Sequence, residues 1–112
     1  MPQLSDYKGK EILVFYWDGY LYAFDLFFEE DSRLRVRKDK TFWRILQGTQ
    51  VIRASTDRIT EARYEAIGRL LNGKRIEEIT NSELGDLQIR LSGTVTLEIY
   101  SGDADRAAYE LK

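Results

Sequence analysis

The segment Phe15–Phe28, FYWDGYLYAFDLFF, holds eight of the fourteen aromatic residues in this 112-residue chain. At its centre is Asp18-Gly19, a dipeptide that readily takes the positive φ values of a tight hairpin turn. Apolar runs flank it, EILVFYW before and YLYAFDLFF after. Val and aromatic side chains suit a pleated surface, so the stretch predicts a hairpin with strands over 11–17 and 20–29. On the second strand Tyr20, Tyr22, Phe24, Leu26 and Phe28 share one face, and Leu21, Ala23, Asp25 and Phe27 share the other. Apolar residues on both faces predict strands covered from both sides. Most of these rings are therefore expected in a core, where each buried large side chain is worth about 1.5–3 kcal/mol. Tyr16, Trp17, Tyr20 and Tyr22 cluster at the tip and support a different use. Tyr and Trp join a large apolar body to a polar end, which suits a contact patch or a pocket.

Beyond the hairpin the period-2 pattern continues. In SRLRVRKDK, Leu34 and Val36 face one way and Arg33, Arg35 and Arg37 the other, as on a half-buried strand with a wet basic face. Lys38-Asp39 reads as a turn, KTFWRIL as the returning strand and TQVIRAS as a fifth. The period then changes. In STDRITEARYEAIGRLLNG, Ile59, Arg63, Ile67, Leu70 and Leu71 fall on one helical face beside Ala62 and Ala66, predicting an amphipathic helix over 59–71. Ser55, Thr56 or Asp57 can cap its first amides, and Asn72-Gly73 supplies a left-handed stop. KRIEEIT, DLQIRLS and TVTLEIY resume as strands, with Gly93 at a turn and DRAAYELK as a last short strand. GKEI at Gly9–Ile12 returns as GKRI at Gly73–Ile76, and Phe24, Leu26, Phe28, Leu34 and Val36 match Leu87, Ile89, Leu91, Leu97 and Ile99. The expected fold is α+β: one domain over 1–112, mostly antiparallel sheet, eight or nine strands in two related units, and one helix.

Composition narrows the chemistry. Hydrophobic residues make up 43% and charged residues 32% of the chain, an ordinary globular balance. No apolar run approaches the ~18–20 residues that cross a bilayer, and MPQLSDYKGK has no apolar leader core. A cytoplasmic protein without membrane contact is expected. With no Cys and no His, thiolate or imidazole metal sites, disulfides and nucleophile–His catalysis are excluded. No phosphate-binding glycine loop is present. Carboxylates are the only acid–base candidates, and no catalytic residue, metal or cofactor is expected.

The net charge of −2 is unevenly spread. From residue 77 onward eight acids face three bases, a net −5. An acidic chain is a poor general nucleic-acid binder, so none is expected as a partner. The five bases of RLRVRKDK read as a solvated strand face balanced by Glu29, Glu30 and Asp31, with phosphate contact as the competing use. Asp103 and Asp105 in SGDADR lack the downstream Glu of a calcium loop and read as a turn. The candidate contact residues for a basic partner are Glu77, Glu78, Glu83, Asp86, Asp103 and Asp105.

The order of motifs from Trp43 onward resembles a family of small bacterial proteins found near polymorphic or contact-dependent toxin genes and generally taken to be immunity proteins. Trp43-Arg44, Asp57, Gly85-Asp86-Leu87 and Tyr109-Glu110 match its pattern. Leu111 stands near the place of the family's terminal Trp, and SGDADRAA replaces its Ser/Gly-rich turn. The resemblance implies an immunity protein that neutralises a cognate toxin by stoichiometric binding. A basic toxin domain such as a nuclease would suit the acidic last third. The competing expectation is a small ligand-binding or structural β domain with an aromatic pocket near the 15–28 hairpin.

Overall fold

The computed structural model describes residues 3–17, 22–37, 41–57, 60–83, 85–101 and 109–112. Among these, nine strands and one α-helix form the expected α+β architecture. The strands are β1 Ile12–Trp17, β2 Tyr22–Phe28, β3 Arg33–Arg37, β4 Thr41–Gln47, β5 Gln50–Ala54, β6 Ile76–Asn81, β7 Leu87–Leu91, β8 Val95–Ser101 and β9 Tyr109–Leu111. A 3₁₀ turn at Leu4–Tyr7 precedes them, and the helix α1, Glu61–Leu71, lies between β5 and β6. Two antiparallel sheets result, ordered β1-β2-β3-β9 and β5-β4-β8-β7-β6.

The repeated motif proves to be a repeated register. Ile12 pairs with Phe28, Leu26 with Leu34 and Phe24 with Val36. In the second unit Ile76 pairs with Leu91, Ile89 with Leu97 and Leu87 with Ile99. The two GK-x-I segments meet each other at the Glu11–Arg75 bridge. Their backbone bonds come in matched pairs: Gly9 N–H to Ile76 O and Gly73 N–H to Ile12 O, both 2.7 Å, then Ile12 N–H to Lys74 O and Ile76 N–H to Lys10 O, 2.8 and 2.9 Å. The fourth strands are exchanged between the units, β4 pairing with β8 and β9 with β3. The inward residues of both sheets form one buried cluster, with Phe24, Phe28, Leu34 and Ile12 from the first sheet and Trp43, Ile45, Leu97 and Ile99 from the second.

The helix departs from the expected phase and start. Thr60 is its cap, its Oγ1 accepting from Arg63 N–H at 3.4 Å; Ile59 lies outside the described residues. Asp57 instead accepts the Ala54 N–H at 2.9 Å and closes the preceding turn. The buried face is Ile67, Gly68 and Leu71 with Tyr64 and Leu70 beside it, while Ala62 and Arg63 are exposed. Tyr64 displaces Arg63 from the core side because its ring stacks on Trp17 of β1. Gly73, at φ 85°, supplies the left-handed stop. A Cβ on Gly68 would meet Asn72 Nδ2 at 3.7 Å and Phe15 Cδ1 at 3.8 Å, ordinary contacts. Gly68→Ala is therefore expected to raise stability by about 0.5–1 kcal/mol, the usual helical cost of glycine. A fall in the thermal midpoint would show that α1 cannot admit the methyl.

The aromatic hairpin divides between core and surface. Phe24 and Phe28 are buried, Phe15, Trp17 and Phe27 half-buried, and Tyr16 is 56% exposed. The expectation of cover on both sides holds for β2, whose Ala23 and Asp25 are buried. It does not hold for β1, which begins its sheet and leaves Leu13, Val14 and Tyr16 exposed. The Asp18-Gly19 and Lys38-Asp39 turns fall outside the described residues.

Candidate interaction site

β6 ends the five-stranded sheet. Its pairing with β7 shifts between Ile76 and Glu78, so Glu77 is the extra residue of a bulge. A bulge resets the side-chain alternation, which explains why Ile76 and Ile79, three apart, are both buried while Glu77 and Glu78 are exposed. Glu78 meets Arg90 across the strand pair at 2.9 Å; both are half exposed, so the pair contributes little. Glu83 is exposed in the loop after β6. That loop is pinned by Ser82, whose N–H donates to Asp86 O at 2.9 Å and whose Oγ accepts from Asp86 N–H at 3.1 Å. Asp86, half-buried, follows Gly85 at φ 89°. Four of the six candidate acids thus lie along β6 and one loop. Asp103 and Asp105 lie outside the described residues.

The best-organised polar group lies on the outer face of the same sheet, and sequence reasoning did not find it. Alternation turns Glu98 and Tyr100 of β8 away from the side that buries Leu97 and Ile99, and turns Arg44 of β4 outward between Trp43 and Ile45. Register sets Arg44 opposite Glu98 on one side and Gln88 opposite it on the other. Glu98 Oε1 accepts from Arg44 Nε at 2.5 Å and from the Tyr100 hydroxyl at 3.1 Å, and Oε2 accepts from Gln88 Nε2 at 3.1 Å. Burial pushes the Glu98 carboxyl up, but these bonds outweigh it and hold its pKa below the usual carboxylate range. Burial, then the bond to Glu98, pushes the Tyr100 hydroxyl up. The Arg44 guanidinium, 5.5 Å from the Tyr100 ring, is held more firmly protonated by its bond to Glu98. Phe42, paired across from Tyr100, packs on its ring at 5.6 Å and stays 38% exposed. Between this face and the β6–β7 loop is a 250 Å³ cavity lined by Thr80, Ser82, Asp86, Gln88, Glu98 and Tyr100, among others. The signal for this cluster was present only as alternation; Arg44 and Glu98 are 54 residues apart.

A second concavity, of 510 Å³, opens between β1 and α1, with Phe15, Trp17, Tyr64, Glu65 and Asn72 in its wall. Trp17 and Tyr64 stack at 3.7 Å, and burial pushes the Tyr64 hydroxyl up to about 12. Asn72 Oδ1 accepts the Phe15 N–H at 2.9 Å and so closes that part of the β1 edge.

The basic stripe is partly spent internally. Arg35 holds the buried Asp25 through Nε at 3.0 Å and Nη2 at 3.3 Å. Among the described residues no group of three acids could hold a metal ion, and no helix is long and apolar enough to cross a membrane. Of the family-pattern residues, Trp43 is buried, Arg44 pairs with Glu98, and Asp57 and Asp86 stand in turns. Comparison with protein-family models, curated proteins and solved structures finds no match.

Proposed function

We propose that this protein is an immunity-type inhibitor, a β scaffold that neutralises a basic toxin domain in the cytoplasm by stoichiometric binding and performs no reaction itself. One observation carries the reading: Glu77, Glu78 and Glu83 are exposed along one sheet edge and its loop, with Asp86 beside them. Acids fixed on packed strands keep their field in place, which speeds encounter with a basic partner and opposes its binding to phosphate. The motif order from Trp43 to Tyr109 supports the same reading.

The test is co-expression with a basic toxin domain encoded beside the gene. A one-to-one complex that protects the host and weakens with salt is expected. Glu77→Lys with Glu78→Lys should slow association at least tenfold, within the roughly 10–10³-fold range of electrostatic steering, and leave the thermal midpoint unchanged. An unprotected host, or a reversal that leaves association untouched, overturns the reading.

The groove beside Trp17 favours a second use, as a ligand-binding domain. Its 510 Å³ falls within the ~300–1,000 Å³ of small-molecule sites. Saturable binding of a metabolite that Trp17→Ala abolishes would carry that reading instead.

A further inference from the structure

We propose that the surface formed by β1 and the groove beside α1 binds a second copy of the chain, giving a symmetric dimer. This goes beyond the inhibitor reading and does not depend on it. β1 and β6 hold equivalent places in the two units. Each opens on the isoleucine of a GK-x-I segment, each is the outer strand of its sheet, and each carries a bulge just past that isoleucine. Proteins commonly protect outer strands with charge, and β6 does so with Glu77 and Glu78. At the matching positions β1 has Leu13 and Val14, and it has Tyr16 where β6 has Thr80. Those three side chains are 43–56% exposed, and Phe27 lies across from Val14. A contiguous exposed apolar patch marks a contact surface.

The charges choose the occupant. α1 runs antiparallel to β1 along the groove: Tyr64 stacks on Trp17, while Gly68 faces Phe15 and Asn72 bonds to it. Glu61 and Glu65 therefore border one end of the groove and Arg69 the other, all three exposed. Among the described residues the ion pairs lie elsewhere and take up none of these charges. A partner of one sign would meet like charge at one end of the groove. A second copy, turned about a two-fold axis across the groove, sets Arg69 of each copy against Glu61 and Glu65 of the other, and the assembly closes with both contacts made. The axis passes between Glu65 and Arg69, about one helical turn apart. The apolar side chains of β1 then fall at the centre and the charges at the rim, as in other protein interfaces. The acids of β6 belong to the other sheet and stay open to a basic partner.

The test is sedimentation of the full chain over a wide range of concentration. A monomer–dimer equilibrium with no larger species is expected. Val14→Asp, on the exposed side of β1, should abolish the dimer, and unfolding of the dilute monomer should not change. Arg69→Glu makes the rim wholly acidic, and Glu61→Arg with Glu65→Arg makes it wholly basic. Each of these variants should self-associate about tenfold more weakly than the parent, or worse, because like charges then meet at both ends. Mixed one to one, the two should form a dimer with each other, which a merely structural effect on α1 would not produce. A parent chain that stays monomeric throughout, growth beyond a dimer, self-association indifferent to the charge variants, or no association in the mixture overturns the proposal. A monomer that still protects the host would sink the dimer alone; a dimer that gives no protection would sink the inhibitor reading alone.

Discussion

Phe24→Ala is expected to cost about 3–5 kcal/mol, the range for truncating a buried aromatic ring. Phe24 is 1% exposed, and it ties the two sheets together: its ring meets Trp43 of β4 edge-on at 5.2 Å and Phe15 of β1 at 5.3 Å. Removing it loses both contacts and leaves a cavity where the sheets face each other, which the surrounding side chains can close only in part. Tyr16→Ala, on the same hairpin but 56% exposed, should stay within about 0.5 kcal/mol of the parent. Urea unfolding of the two variants checks the division of the hairpin into core and surface. Similar losses would mean the rings do not divide as the burial pattern says.

The second large effect is expected at Arg35. Its guanidinium grips both oxygens of Asp25, whose side chain is 5% exposed. Breaking such a pair from one side leaves a charge out of water with no compensation, at a cost of about 3–5 kcal/mol. Arg35→Leu should therefore be severely destabilising. Asp25→Leu combined with Arg35→Leu should recover most of the loss, because no buried charge then remains. If the double variant unfolds as early as the single one, the pair is not the reason Arg35 matters. The result also bears on the basic stripe, since an arginine that holds the sheet together is not available to grip phosphate.

Much of this architecture was legible because it is local. Alternation in SRLRVRK gave the inward positions Leu34 and Val36, both buried. The matching spacing of GKEI and GKRI reported a real correspondence, down to paired backbone bonds. Where local reasoning failed, a long-range contact had intervened. The helix turned by about one residue because Tyr64 found Trp17. β1 reads as a two-sided strand, yet the sheet begins with it, so its outer side chains meet solvent. The acids of β6 were identified as a group, but the bulge at Glu77 that exposes two in succession was not. In the sequence Glu98 is one of the eight acids of the last third, and nothing near it in the chain marks it apart from Glu110 or Glu83.

The chain's own sequence determined which segments are strands, which of their residues face inward in β3, β7 and β8, and where the helix stops, since backbone geometry fixes a period of two for strands and gives glycine its left-handed turn. Tertiary structure alone decided that β4 and β9 cross to the opposite unit, and so that Arg44, Gln88, Glu98 and Tyr100 stand together beside Asp86. The exchange depends on which pairing buries both inward faces at once, a property of the whole packed core that no single stretch of the chain contains.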